Sequence, residues 1–148
     1  MVEQSFIVRQ ISIFLDNRPG SLALMARRLA DAGINLRALS LAETRDFGTA
    51  RIVVANPEVC KGALKGTDFH SVETEVLAIE VADRPGGMAD VLEIIAQEHL
   101  DVEYIYAMAV SREGSAIVIV RVNDPPKAVA ALQAKGVRLF TQGDIAAL

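Results

Sequence analysis

An internal repeat constrains this chain more than any single motif does. Displaced by 66 residues, Arg18-Pro19-Gly20 returns as Arg84-Pro85-Gly86, and the gap-free alignment of residues 16–54 on residues 82–120 also pairs Ala23 with Ala89, Ala30 with Ala96, Gly48 with Gly114, Ala50 with Ala116 and Val54 with Val120. A duplicated unit must fold twice, so any fold assigned to one half has to suit the other. The identities are sparse, but the hydrophobic pattern repeats with them. Ile11, Ile13 and Leu15 alternate with Gln10, Ser12 and Phe14, and Leu77, Ile79 and Val81 alternate at the matching places, as strands do. Past each Arg-Pro-Gly the period changes from two to 3.6. Leu22, Met25, Ala26 and Leu29 share one helical face, as do Met88, Val91, Leu92 and Ile95, and Gly33 provides a helix stop.

Strand-like runs at about residues 34–43 and 100–110 follow, then the turns Asp46-Phe47-Gly48 and Arg112-Glu113-Gly114, then return strands at 49–55 and 115–122. Asn56-Pro57 and Asp124-Pro125-Pro126 have the character of an N-cap and a first helical turn, opening second helices that run to about Leu64 and Ala134. Final strands fall near 70–75 and 137–141. Each half therefore reads βαββαβ. The expected fold class is α+β: two ferredoxin-like units, residues 1–75 and 76–148, each with an antiparallel four-stranded sheet and its helices on one face. Residues 71–81 form one strand-like run that serves both halves, leaving no room for a flexible linker.

This order leaves the second strand of each half at a sheet edge, where unpaired backbone invites association with the other edge or with another chain. Ala116-Ile117-Val118-Ile119-Val120 puts apolar side chains on both faces of its strand, although helices cover only one. A homodimer with sheets packed face to face is the expectation that would cover the other.

Much chemistry is excluded. The 148 residues carry 15 Lys+Arg against 19 Asp+Glu, a net charge of −4 with no basic block, which argues against nucleic acid and anionic membrane as partners. No apolar run approaches the ~18–20 residues of a membrane span, and the first fifteen residues lack the apolar core of a secretory signal. Cys60, the only cysteine, rules out an intrachain disulfide and fits a reducing, cytoplasmic setting. Lys61 beside it could lower a thiol pKa, but a small residue on the inner side of a helix is the simpler reading. His70 and His99 occupy unrelated places in the two halves, with no partner at ligand spacing, so no metal or cofactor is expected. The return strands have no aromatic residue for stacking bases, which disfavours an RNA-recognition module.

What remains is the repeated loop. Asp16-Asn17-Arg18-Pro19-Gly20-Ser21 ends a strand and opens a helix, where free N–H groups and the helix dipole favour a small carboxylate. Pro19 fixes the chain direction without wasting a donor, and Gly20 permits positive φ or close approach of a ligand. The second strand opens Gly33-Ile34-Asn35-Leu36, and the expectation is that this opening lies near the first loop, gathering the amides of Asn17 and Asn35 around one zwitterion.

These residues, Asp16-Asn17-Arg18-Pro19-Gly20 with Leu22 and Gly33-Ile34-Asn35, resemble the signature of the ACT domain, a small-molecule sensing module of amino-acid metabolism, and the two halves together span nearly the whole chain. Residues 42–48 are similar to those of small stand-alone proteins built from two ACT domains. The resemblance implies binding of a free amino acid at an interface between ACT domains and a regulatory outcome, with no catalytic residues. Carried over, it puts ligand contacts on Asn17, on Gly20, Ser21 and Leu22, and on Asn35 with Leu36, with Arg18 and Pro19 framing the loop. The second-half counterparts are Asp83, Gly86, Gly87, Met88, Asp101 and Val102, where two carboxylates replace two amides and repel an incoming carboxylate. Tyr104 or Tyr106 offers an aromatic pocket wall. With no catalytic domain on the chain, the output is expected in trans, on a metabolic enzyme or regulator. The alternatives are a ligand-free dimerisation scaffold and an acylphosphatase-like hydrolase using Arg18 with Asn17 or Asn35.

Overall fold

Strand β1 (Val8–Asp16) stops at the Arg-Pro-Gly turn, and helix α1 (Ser21–Asp31) begins immediately after it. The structure, a computed structural model, describes residues 5–110 and 112–148. The remaining elements are β2 (Ala38–Glu43), β3 (Phe47–Val53), α2 (Pro57–Leu64), β4 (His70–Ala82), α3 (Gly87–Gln97), β5 (Val102–Ala107), β6 (Ser115–Val122), α4 (Pro125–Ala134), β7 (Leu139–Phe140) and α5 (Gln142–Ala146). They fall into two units: Arg9–Thr74, and Glu75–Leu148 together with residues 5–8.

In the first unit the alternating strand residues and the helical stripe meet as their periods require. Ile11, Ile13 and Leu15 of β1 and Ala50 and Ile52 of β3 bury against Met25 and Leu29 of α1 and Cys60 and Leu64 of α2. The second unit repeats this with Leu77, Ile79 and Val81 of β4, Val118, Val120 and Val122 of β6, Val91 and Ile95 of α3, and Leu132 of α4. Both second helices begin as the sequence indicates: the Asn56 side chain accepts from the Glu58 and Val59 N–H groups, and Asp124 accepts from the Lys127 N–H.

Three features differ from expectation. The strands do not form two separate four-stranded sheets. Hydrogen bonding runs β2-β3-β1-β4-β6-β5, six strands on one continuous path, with β7 paired to β4 off that path as the seventh strand of the sheet. The cause is covalent, because the 13-residue β4 closes the first half and opens the second without a break. Arg9 of β1 ion-pairs with Glu73 on the early part of that strand and with Glu58 of α2, which holds the Glu58 carboxyl below the usual range. Second, Ile117 and Ile119 are 1% and 0% exposed, although the sequence left their face of the strand without a cover. Third, the final turn α5 has no counterpart in the expected pattern. Its signal is a Thr141-x-x-Asp144 capping box, with the Thr141 Oγ1 accepting from the Asp144 N–H at 3.0 Å and the Asp144 Oδ2 accepting from the Thr141 N–H at 2.9 Å.

Helix α1 exits through Gly33 at φ 77°, and at the repeat position α3 exits through His99 at φ 56°, the only non-glycine with positive φ among the described residues. A side chain in this left-handed conformation is strained. His99→Gly is expected to stabilise the chain by about 0.5 kcal/mol, the relief of strain being partly offset by a freer unfolded state. Urea titration would read this as a higher midpoint at unchanged slope, and a lower midpoint would contradict it.

Cys60 is fully buried in the first core, and burial pushes its thiol up to about 11, overriding any effect of Lys61. At pH 8 the folded protein should therefore react with an aromatic disulfide reagent only as fast as it opens, with full labelling in denaturant. Rapid labelling of the native chain would contradict this placement.

Candidate functional site

The tip of the first unit is built by three segments. Asn17 leaves β1 and is latched to the β2–β3 hairpin: its N–H donates to the Asp46 carbonyl at 3.2 Å, and its side-chain Nδ2 donates to the Arg45 carbonyl at 3.0 Å. The hairpin is closed in turn by Thr44, whose N–H donates to the Phe47 carbonyl at 2.8 Å. Gly20 then takes φ 90° and serves as the α1 N-cap without a side-chain hydrogen bond, and the first turn of the helix holds no acidic residue. That terminus keeps its positive end electrostatically open. A small cleft of about 100 Å³ lies here, lined by Asn17, Arg18, Gly20, Ser21 and Leu22 together with Leu41, Glu43 and Gly48 from the facing strands. Arg18 pairs with Asp16 at 3.3 Å, both well exposed.

Next to it is a larger cleft of about 540 Å³, which shares Asp16, Arg18 and Ser21 and lies wholly within the first unit. Phe14, Leu24 and Phe47 line it and are 44%, 63% and 61% exposed, while Phe69, Thr67 and His70 come from the segment entering β4. Sequence reasoning misses this cleft. The available signal is a set of apolar residues at outward positions: Phe14 on the outer side of the β1 alternation and Leu24 off the buried stripe of α1. The segment around Phe69 is distant in sequence, and only the topology brings it here.

Asn35 does not join Asn17. Glu43 and Phe47 mark the Asn17 end of the sheet, whereas Asn35 precedes the opposite end, where Ala38 pairs with Val53. The six residues of β2 separate the two amides by about 20 Å at ~3.3 Å per residue. Asn35 instead lines a separate cleft of about 180 Å³ with Arg37, Ala55 and Asn56. The reason is that β1 and β2 both pair antiparallel to β3, so both run the same way and the second strand starts at the end remote from the first loop. This also removes the single-unit hydrolase arrangement of Arg18 with Asn35.

The corresponding tip of the second unit is closed. A Cβ on Gly87 would lie 2.0 Å from the Ala82 carbonyl oxygen, so the helix start packs directly on its own strand, whereas Ser21 fills this position in the first unit. Asp90 sits in the first turn of α3, and Arg84 folds back to donate to its carboxylate at 2.9 Å. The helix end that would attract an anion is thus already served by a carboxylate. Asp83 and Gly86 stand at the loop with Met88 just inside the helix, while Asp101 and Val102 stand at the far end, where the Asp101 N–H donates to the Asn123 side chain. Tyr104 and Tyr106 belong to β5 of this unit, where their rings stack 6.4 Å apart. No group of three or more potential metal ligands occurs among the described residues, and no helix among them is long and apolar enough to cross a membrane.

Comparisons with known proteins agree with this architecture. A search of curated proteins finds no match. A Bacteroides thetaiotaomicron protein of known crystal structure is 34% identical, with a TM-score of 0.89 over 97% of this chain and 98% of that one. The ligand-free regulatory subunit of aspartate kinase from Thermus thermophilus shares the fold at 16% identity, with a TM-score of 0.65 over 91% of this chain and 96% of that one. The corresponding subunit from Thermus flavus shares it at 17% identity and a TM-score of 0.57, over 90% and 96%. The family model for the ACT domain pair matches residues 6–148, and with the repeated βαββαβ order and the paired Arg-Pro-Gly tips this places the chain in the ACT domain pair family.

Proposed function

We propose that the chain is a regulatory sensor that binds a free amino acid at the tip of its first unit and acts in trans on a metabolic enzyme or regulator. The observation carrying this reading is the contrast between two tips of one repeat. One leaves a helix N-terminus open beside a cleft, and the other fills the same place with Asp90 and a glycine packed on backbone. A zwitterion suits the first tip: its carboxylate faces the open end of α1 with Arg18, and its ammonium faces Glu43 and Asp16. Asn17 then acts by holding the loop to its hairpin, and Leu22 offers a backbone N–H group, the Ser21 N–H already donating to the Arg18 carbonyl at 3.3 Å. Asn35 and Leu36 take part only if they belong to a second chain. A ligand that favours one arrangement of units shifts its population, and the partner reads the shift. The aspartate kinase regulatory subunits of the same fold make this a natural role.

Thermal melting with each of the twenty amino acids tests the reading. A ligand at ~100-fold excess over its Kd adds about 2.7 kcal/mol to the native state. A flat response to all of them would favour the scaffold reading, for which the specific support is the exposed Leu39 and Leu41 on β2, an edge strand open to pairing with a second copy. Sedimentation velocity of Leu41→Lys would then show a dimer lost.

A further inference from the structure

We propose, building on the amino-acid reading above, that the first unit selects an amino acid with an aromatic side chain, its ring held between Phe14, Phe47 and Phe69. Three of the chain's five phenylalanines line this one cleft. Phe69 packs against the first-unit core and forms the floor, while Phe14 and Phe47 stand exposed as walls. Core packing accounts for the first and not for the other two. Solvent-exposed phenyl rings converging on a concave, partly apolar space are the usual mark of a ligand surface, and a volume of about 540 Å³ lies within the ~300–1,000 Å³ of small-molecule pockets. Aromatic rings meet best in offset or edge-to-face pairs, which three differently placed phenyl groups can offer to a fourth.

The rim decides between classes of aromatic ligand. Its acids are Asp16 and Asp68 and its fixed cations Arg18 and Arg28, so the charges balance, and Arg18 is already paired with Asp16. A simple aromatic acid with net negative charge finds no surplus cation here, whereas a zwitterion can match both signs.

Calorimetry on the full chain at neutral pH distinguishes the outcomes, with L-phenylalanine, L-tyrosine, L-tryptophan, L-alanine, L-leucine and phenylacetate as probes. The expected result is that at least one aromatic amino acid binds ten-fold or more tightly than alanine, leucine or phenylacetate. Phe14→Ala and Phe47→Ala should each weaken that binding about ten-fold. Both side chains are exposed, so the unliganded melting temperature should hold. Preference for a small or aliphatic amino acid, or aromatic binding indifferent to both substitutions, overturns this inference and leaves the amino-acid reading standing. Absence of binding by any of the twenty amino acids removes both. Loss of a dimer in the doubly substituted chain by sedimentation would assign the phenylalanines to a second copy and likewise overturn the proposal.

Discussion

Gly87→Ser is expected to destabilise the protein by about 2–3 kcal/mol, among the larger effects that one added side chain produces, because the new Cβ would lie 2.0 Å from the Ala82 carbonyl oxygen. The obstacle is backbone, which cannot rotate aside as a flexible side chain can. Either α3 must lift from β4, exposing Val91 and Met88, or the strand must bend. For a chain of this size the loss corresponds to a fall of roughly 5–10 °C in melting temperature. The repeat supplies its own control. Ser21 already occupies the matching place in the first unit, so Ser21→Gly should change stability by only about 0.5 kcal/mol, through backbone entropy. Equal sensitivity at the two positions would mean that the two tips are packed alike, and the contrast between an open and a closed tip would fall.

Leu24→Asp should separate binding from stability. Leu24 is the repeat counterpart of Asp90, and the substitution gives the first tip the feature that closes the second. A carboxylate in the first turn of α1 would complement the helix dipole, stabilising the helix by about 0.3–1 kcal/mol. It would also draw Arg18 inward, as Asp90 draws Arg84, and occupy the ground intended for the ligand's carboxylate. Amino-acid affinity should fall on the order of 10- to 100-fold, about 1.4–2.8 kcal/mol, while the unliganded protein melts no lower than before. Mutations that weaken binding by unfolding the protein move both quantities down together. Undiminished affinity would remove the electrostatic basis of the site.

How much of the molecule is legible in its sequence depends on the range of the interaction concerned. Strands and helices follow from local sequence, and β6 coincides with its expected residues 115–122 because a continuous β-branched apolar run and the flanking turn residues both mark it. β2 begins at Ala38 instead of residue 34 because the N–H groups of Gly33 and Ile34 are still committed to the carbonyls of Ala30 and Leu29 at the helix exit. The shared strand β4 is visible as an apolar run, but its pairing on both sides, and hence one seven-stranded sheet, is a long-range property that no window reveals. The site divides in the same way. Residues 16–22 are contiguous and readable as a tip. Asn35 is misplaced by the sequence because nearness along the chain is not nearness in space: a helix of 11 residues carries the chain back to the other end of the sheet. The phenylalanine cleft is illegible for the converse reason, since residues 14, 47 and 69 meet only through the fold.

On this reading the first tip binds an amino acid and the second does not. Isothermal titration of the full chain with the amino acid that most raises its melting temperature tests this directly, run in parallel on Leu24→Asp. Saturable heat at one equivalent per chain is expected in the native protein, with binding weakened at least ten-fold in the variant. Two equivalents per chain, or equal affinity in native protein and variant, would contradict it.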